Sequence, residues 1–206
     1  MSSLRDELTS LPILESERVF EGRVWDVRRE SVAFGGGEIT RDFVDHTGAV
    51  AVLALDDEDR VCLIRQYRHP VRAREWELPA GLLDLEGESP LLGAQRELAE
   101  EVDLVAAEWS VLADFQTSPG GSNEALRIYL ARGLSDAPEA FARTDEEAEL
   151  EKHWVPLDEI VDAILARDVQ NSILVIGALA AQASKARDWS TLAPGDAPWP
   201  RHPLSR

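Results

Sequence analysis

The first third of the chain alternates hydrophobic and polar positions in short runs that are typical of β-strands. Two such runs between about residues 18 and 55, RVFEGRVWDVRRESVAF and EITRDFVDH, are separated by the turn signal GGGE and predict a β-hairpin or small meander. The next run, AVAVLALDDEDRVCLIRQYRH, contains two apolar strands around an acidic turn. Because it is apolar almost throughout, we expect it to be buried on both faces, in the core.

A helix that follows a glycine- and proline-rich segment is the next predicted element. The segment is WELPAGLLDLEGESP, and its glycines and prolines favour a loop over regular structure. The helix is expected to begin around Ser89–Pro90, because serine caps helix N-termini and the missing N–H of proline costs nothing in a first turn. Apolar residues follow at helical spacing and predict one core-facing side. They are Leu91, Ala94, Leu98 and Val102.

The second half of the chain alternates strand and helix patterns. The runs WSVLADFQ and EALRIYLARGL are strand-like and flank TSPGGSN, and a strand-to-helix entry follows at WVPLDE. The periodic segment IVDAILARDVQNSILVIGALAAQASKA predicts one broken helix or two consecutive helices. After Asp188 the chain is proline-rich and aperiodic, which predicts an extended tail. We therefore expect an N-terminal β-region at 1–47, a main α/β domain at 48–187 and a tail at 188–206.

Composition and charge narrow the kinds of partner. The 206 residues fit one domain with a small appendage and carry a formal charge of −18. They offer no broad basic surface for nucleic acid or for a membrane, although local arginines or a metal ion can still bind a small anion. Cys62 is the only cysteine, which excludes an intrachain disulfide and favours a core role. With no secretory signal pattern and no long uncharged apolar run, we expect a cytoplasmic enzyme or binding module.

Three glutamates crowd the predicted helix in the stretch RELAEEVDL. Glu97 and Glu101 are four residues apart and project to one side, and Glu100 lies one turn on from Glu97. A solvated helix face is the common explanation for such a charge run. The other explanation is a site for a hard divalent cation, because carboxylates opposite the free carbonyls of a glycine-containing loop supply the oxygen ligands that it needs. The metal would offset the repulsion between the glutamates.

The stretch GLLDLEGESPLLGAQRELAEEVDL resembles the Nudix box, the signature of the Nudix hydrolase superfamily, which is written G-x5-E-x7-R-E-U-x-E-E-x-G-U with U an aliphatic residue. So many matching positions favour the metal-site explanation of the glutamates. The matching residues are Gly81, Glu88, Arg96, Glu97, Leu98, Glu100, Glu101 and Leu104.

Two positions depart from this pattern. Six residues rather than five separate Gly81 from Glu88, an insertion that a loop absorbs at low cost. Asp103 stands where the family has glycine, at the point where the helix ends in the left-handed region. Asp is one of the few other residues enriched in that region, so we expect the helix to end there as usual.

Segments outside the box, WELPAG, QYR and SPGGS, resemble the ADP-ribose pyrophosphatase branch of the superfamily. In that branch a proline about sixteen residues after the last glycine of the box accompanies ADP-ribose specificity, and Pro119 has that place relative to Asp103. The resemblance covers about residues 18–180 and implies an α/β/α sandwich with a mixed β-sheet, with 48–187 as the Nudix hydrolase domain. It also implies a homodimer that exchanges its N-terminal strands, each contributing to the partner's substrate site.

The resemblance assigns a metal site to the helix and the loop before it. It implies that the carbonyl of Ala80 and the carboxylates of Glu97 and Glu101 bind Mg²⁺ or Mn²⁺, with Glu100 a candidate for an additional ion. Such ions neutralise a diphosphate and acidify the attacking water. Arg96 is expected to orient the glutamates, and a helix salt bridge to Glu100 is the simpler alternative.

The general base in this branch comes from an acidic loop between late strands, here TDEEAELE. Glu147 matches the family position best, and Glu146 and Glu149 are alternatives. Without the box, a solvated acidic loop would be the preferred interpretation. Glu88 has two interpretations of equal weight, one in which it holds the loop or a metal and one in which it is a first-turn carboxylate favoured by the helix dipole.

The resemblance also indicates where the substrate binds. Arg68 in QYR and Arg41 in ITRDF are expected to contact phosphate and ribose, with Arg41 reaching across the dimer. An ordinary surface ion pair is the alternative for either arginine. Ser122 and Glu124 are expected to contact the terminal ribose, and Pro119 indicates the preference for ADP-ribose.

Together these residues predict metal-dependent hydrolysis of the diphosphate of ADP-ribose to AMP and ribose 5-phosphate, with water as the nucleophile. A broader nucleoside diphosphate sugar hydrolase is one alternative, because the pocket outside the box decides which sugar is preferred. The other is a sensor that binds ADP-ribose without turnover. A sensor predicts loss of box carboxylates, whereas Glu97, Glu100 and Glu101 are all present.

Overall fold

The computed structural model describes residues 4–139 and 150–202. The contacts among Cα atoms divide the chain into two compact units. The first unit comprises the described residues up to His46 together with Ser118–Glu124, and the second comprises Thr47–Thr117 and the described residues from Ala125 onward. The 118–124 loop joins the first unit although it lies far away in sequence.

The first unit is an antiparallel meander of three strands, β1 (Ile13–Phe20), β2 (Asp26–Phe34) and β3 (Gly37–Asp45). A two-residue turn joins β2 to β3, and both its residues have positive φ, +58° at Gly35 and +82° at Gly36. Glycine adopts such values without steric cost, and they suit the right-handed twist of a hairpin. The predicted meander is confirmed.

The second unit contains two sheets. The strand order is β10–β5–β6 in one and β11–β8–β9–β4–β7 in the other, where β4 and β9 are parallel and the other pairs are antiparallel. The strands are β4 (Ala49–Ala54), β5 (Arg60–Arg68), β6 (Ala73–Glu77), β7 (Ala80–Leu82), β8 (Leu104–Gln116), β9 (Ala125–Asp136), β10 (Glu151–Pro156) and β11 (Ala193–Pro194). The helices are α1 (Pro90–Val102), α2 (Leu157–Ala166) and α3 (Ser172–Lys185).

Two apolar cores lie on opposite faces of β4. Leu53 belongs to a cluster with Leu157 of α2 and Leu174 of α3, whereas its neighbour Val52 belongs to a cluster with Leu98 of α1. Because successive side chains of a strand point to opposite faces, α1 covers one face of the sheet and α2 with α3 the other. This arrangement is the predicted α/β/α sandwich with a mixed sheet.

Strand β5 contributes to both cores and carries the single cysteine. Cys62 is fully buried, and burial raises the pKa of its thiol to about 12, because a thiolate loses its hydration there. The thiol is therefore protonated at neutral pH and unreactive. Its predicted core role is confirmed.

Two segments contain more regular structure than the hydrophobic pattern predicted. The WELPAG segment, expected to be loop, contains the end of β6 and the start of β7, which pairs with β4. Three residues are too few to show an alternating pattern, so the pairing partner decides the structure. The segment after Asp188, expected to be an extended tail, contributes β11, which pairs with β8, and Trp199, which is buried. The partners of this segment are remote in sequence, and no local periodicity indicates them.

Candidate active site

Helix α1 begins and ends where the sequence predicts. The Ser89 hydroxyl accepts a hydrogen bond from the Leu92 N–H at 3.3 Å, as a capping residue does. Asp103 lies in the left-handed region with φ of 54°, and its N–H donates to the Ala99 carbonyl at 3.0 Å. Aspartate at this position therefore leaves the end of the helix intact.

Glu97 lies directly against strand β7. A methyl group added at Gly81 would overlap the Glu97 carboxylate, so the absence of a side chain at Gly81 is what lets the helix residue approach the strand. The Glu97 side chain is only 12% exposed. A glycine at the first position of the box thus has a direct steric explanation.

Glu101 contacts the backbone of the same strand. Its carboxylate accepts a hydrogen bond from the Ala80 N–H at 2.9 Å, and the residue is 8% exposed. The neighbouring Pro79 carbonyl instead accepts from Val52 of β4 at 2.8 Å. In an antiparallel strand the N–H and C=O of one residue point to the same side, and successive residues alternate between the two sides. Pro79 faces β4, so both the N–H and the carbonyl of Ala80 point away from β4, to the side on which Glu101 lies.

Arg96 connects the loop before α1 to the acidic face of the helix. Its guanidinium donates two hydrogen bonds to the Glu88 carboxylate, at 2.9 and 3.0 Å, and others to Glu97 at 2.6 Å and Glu100 at 3.0 Å. The bonds to Glu88 raise the pKa of Arg96, an effect that the charge of Glu97 reinforces, and they lower the pKa of Glu88. Arg96 therefore remains charged and neutralises part of the repulsion among the glutamates.

The donor set at this edge suits a hard divalent cation. The Glu101 carboxylate bonds to the Ala80 N–H and the Glu97 carboxylate lies against Gly81, so two carboxylates meet the short strand that carries the Ala80 carbonyl. Mg²⁺ is typically held by one or two carboxylates, with waters and substrate phosphates completing its shell. Within residues 4–139 and 150–202, no three acidic, histidine or cysteine side chains converge as a closed metal cluster.

Arg68 is clamped by a buried carboxylate. Its guanidinium donates to both oxygens of Glu77, at 2.8 and 2.7 Å, and Gln66 donates to the same carboxylate at 3.1 Å. The Glu77 side chain is 3% exposed, whereas 43% of the Arg68 side chain remains exposed. Arg68 is thus a rigidly held cation with an accessible surface, which suits recognition of a phosphate.

Four of the predicted substrate contacts belong to the first unit. Arg41 on β3 donates to the Thr40 carbonyl at 2.8 Å, and Pro119 lies in the turn of the 118–124 loop. In the same loop, the Ser122 hydroxyl accepts a hydrogen bond from the Glu124 N–H at 3.1 Å. The Glu124 carboxylate lies 3.4 Å from His46, whose pKa is lowered mainly by burial. The predicted bases Glu146, Glu147 and Glu149 lie outside the described residues.

Sequence reasoning missed two charged residues that hold this region together. One is Glu77 of β6, a strand that also contains Arg74 and Glu75, so its sequence does not distinguish the buried glutamate from its charged neighbours. The other is Lys152 of β10, whose ammonium donates to the Val102 carbonyl at the C-terminus of α1, at 2.8 Å. A cation at that end of a helix is favourable because the last carbonyls carry partial negative charge. Nothing in the sequence indicated the role of Lys152, because it follows an acidic run and its partner Val102 lies in α1, far away along the chain.

Comparisons with known proteins agree with this geometry. Residues 45–174 match the NUDIX domain family. The chain is 46% identical over 173 residues to an ADP-ribose pyrophosphatase of Mycobacterium tuberculosis, covering 82% of each chain. It is 35% identical over 177 residues to a methanol dehydrogenase activator of Bacillus methanolicus, covering 85% of this chain and 92% of the relative.

A solved structure shares the fold. It is a crystal structure of an ADP compounds hydrolase, with a TM-score of 0.72 and 24% sequence identity, and the match covers 89% of this chain and 98% of that one. Among the described residues, no helix has the length and apolar character needed to cross a membrane. The family match spans the strands and the helix that carry Ala80, Arg96, Glu97 and Glu101, and on that evidence the chain belongs to the Nudix hydrolase family.

Proposed function

We propose that this chain hydrolyses the diphosphate bond of ADP-ribose to AMP and ribose 5-phosphate, with Mg²⁺ or Mn²⁺ at the edge of β7. The observation that carries the proposal is the approach of Glu97 and Glu101 of α1 to Ala80 and Gly81. A metal-dependent phosphohydrolase needs such a set of oxygen donors. The 46% identity to an ADP-ribose pyrophosphatase supports the choice of substrate.

In this proposal Glu97, Glu101 and the Ala80 carbonyl hold the cation, and Glu100 takes part in holding an additional one. The bound ion supplies charge neutralisation for the diphosphate and lowers the pKa of the attacking water. Arg96 is a positioning residue, because its bonds to Glu88 on one side and to Glu97 and Glu100 on the other keep the carboxylates in place.

The other proposed site residues bind the substrate or accept the proton of the attacking water. Arg68, held in one orientation by Glu77, binds the diphosphate, and Glu147 accepts the proton of the attacking water, with Glu146 and Glu149 as alternatives. Four first-unit residues contact the nucleotide sugar. These are Arg41, Pro119, Ser122 and Glu124.

The proposal includes a homodimer formed through the first unit. Six large apolar side chains of β1, β2 and the segment between them are 47–62% exposed. A solvent-exposed apolar group of this size on a small meander is typical of a protein interface. They are Ile13, Leu14, Phe20, Val24, Trp25 and Phe34. Sedimentation at equilibrium would contradict this part if it gave the mass of one chain, 22.8 kDa, at micromolar concentration. The enzyme is proposed to act in the cytoplasm, where its single thiol stays reduced.

The test is AMP release from ADP-ribose by the purified protein with Mg²⁺, Mn²⁺ or a chelator, beside a panel of other nucleoside diphosphate sugars. We expect metal-dependent AMP formation that Glu97→Gln and Glu147→Gln abolish and that Glu108→Gln, an exposed glutamate of β8, preserves. Faster turnover of another nucleoside diphosphate sugar would identify that compound, rather than ADP-ribose, as the preferred substrate. No turnover of any panel member, with ADP-ribose binding retained, would overturn the enzyme assignment in favour of a sensor.

A further inference from the structure

A cavity of about 680 Å³ lies within the second unit, beside the loop that leads into α1. Two segments form its walls, the 83–91 loop that leads into α1 and the C-terminal residues 195–199 with His202. Arg127 and Tyr129 of β9 form its floor. Ala80, Glu97, Glu100, Glu101 and Arg68 are not among its lining residues. Its size is that of a site for a small organic molecule.

The C-terminal wall of the cavity is fixed in place by Arg127. This arginine is 2% exposed, donates to both oxygens of Asp114 at 2.7 and 2.8 Å and also to the Ala197 carbonyl at 2.7 Å. Its guanidinium carbon lies 4.8 Å from the centre of the Trp199 ring. Because Asp114 neutralises Arg127, the floor offers no positive charge to an anionic ligand.

The charges that remain around the cavity are negative. Asp84, Glu86 and Asp196 are exposed lining residues and make no ion pair with any residue that the structure describes. The wall between them is apolar and includes Leu83, Leu85, Leu91 and Pro198. An apolar wall with carboxylates at its rim complements an organic cation and repels phosphates.

We propose that this cavity binds a compact apolar amine of the size of a protonated arylalkylamine, and that its occupant acts on the metal donors through Glu88. The site is distinct in chemistry from the nucleotide-sugar site, since its rim disfavours a diphosphate. Glu88 belongs to the lining loop and holds Arg96 by two hydrogen bonds, and Arg96 in turn bonds to Glu97. A ligand that displaces the loop therefore changes the placement of Glu97. This coupling rests on the role given to Glu97 under the proposed function, whereas binding in the cavity does not.

Three indole compounds that differ in charge test the site directly. Equilibrium dialysis with tryptamine, indole and indole-3-acetate should give the tightest binding for the cation and the weakest for the anion. The double variant Asp84→Asn with Asp196→Asn should weaken the binding of tryptamine about twofold to fivefold per charge removed, and should leave the binding of indole unchanged. Asp162→Asn, an exposed acid of α2 outside the cavity, is the matched control and should change neither.

Leu85→Trp separates the cavity from adventitious binding to an acidic surface. Leu85 is 52% exposed on the loop, so a larger side chain is accommodated in the fold and projects over the cavity, and it should reduce binding of tryptamine and indole at least tenfold. The proposed site would be overturned if Leu85→Trp bound tryptamine as tightly as the wild type does. It would also be overturned if the wild type bound indole-3-acetate as tightly as tryptamine.

The coupling is tested by AMP release at saturating ADP-ribose with and without tryptamine. We expect tryptamine to change the rate of the wild type and to leave the rate of Leu85→Trp unchanged. An unchanged wild-type rate with tryptamine bound would overturn the coupling through Glu88. If the wild type released no AMP under any condition, the proposed function would fail, while dialysis would still decide whether the cavity binds the amine.

Discussion

The guanidinium of Arg68 is held edge-on by the buried carboxylate of Glu77, through two hydrogen bonds of 2.8 and 2.7 Å. Glu77 ends β6, and three residues later the chain reaches Ala80, the proposed carbonyl ligand. One short segment thus carries both the carboxylate that clamps Arg68, the arginine proposed to bind phosphate, and the proposed metal donor Ala80. Two residues of the WELPAG segment therefore have structural explanations: Glu77 holds Arg68, and Gly81 leaves room for Glu97.

Glu77→Gln tests the clamp. Gln keeps the shape of Glu77 and removes the charge, and hydrogen bonds to charged groups contribute about 1.5–3 kcal/mol, so we expect KM for ADP-ribose to rise about tenfold or more. Steady-state kinetics with a thermal unfolding curve for each variant is the measurement. Gln66→Met, which leaves the Arg68–Glu77 pair intact, is the control and should change KM much less. Equal effects of the two variants would contradict the clamp.

Gly81→Ala tests the contact between β7 and α1. The added methyl group overlaps the Glu97 carboxylate, and the end of that flexible side chain can move aside, so we expect activity to fall at least a hundredfold with little change in Tm. The expected loss of activity follows from displacement of Glu97, a proposed metal donor. Gly37→Ala is the control, because a methyl group there meets its nearest neighbour at 3.8 Å. A variant with wild-type kcat would show that Glu97 need not lie against the strand.

Glu88→Gln gives a pH-dependent difference in stability. The Arg96 hydrogen bonds lower the pKa of Glu88 in the folded protein below its ordinary value of 4.5, so the ionised form stabilises the fold. That contribution is fully present above pH 4.5 and is lost as the pH falls through the lower folded-state pKa. Urea unfolding of the wild type and Glu88→Gln should therefore differ at neutral pH and converge in acid. Glu86→Gln, in the same loop and exposed, should match the wild type at both pH values.

Lys152→Met tests the contact at the C-terminal end of α1. Losing a cation from that end of a helix costs about 0.3–2 kcal/mol, and the last turn of α1 carries Glu101, so we expect both stability and kcat to fall. Lys152→Arg should restore part of both, because it keeps the charge. Lys185→Met, which removes the exposed ion pair with Asp59, is the control and should leave kcat unchanged. An equal loss of kcat in Lys152→Met and Lys185→Met would show that the contact of Lys152 with α1 is not what supports kcat.

Local chemistry was sufficient to predict much of this protein from its sequence. Ser89 and Asp103 mark the ends of α1 because capping depends on the side chain and backbone of a few consecutive residues. The helical spacing of apolar residues in α1 identifies its core face, and the continuous apolar run of β4 identifies a strand buried on both faces, because each pattern is a property of one element alone. The spacing of Glu97 and Glu101 likewise places both carboxylates on one face of the helix.

Tertiary structure decided which elements those residues meet. Glu77 and Arg68 become partners because β5 and β6 pair, and Lys152 reaches Val102 because β10 lies near the end of α1. The backbone N–H of Ala80 that points away from β4 bonds to Glu101 because β7 is an edge strand with no further strand on that side. The segment after Asp188 packs onto β8 and Arg127 for the same reason. Apart from the Arg68–Glu77 pair of adjacent strands, these contacts join residues far apart in sequence. No periodicity connects any of the partners, so only the folded chain brings them together.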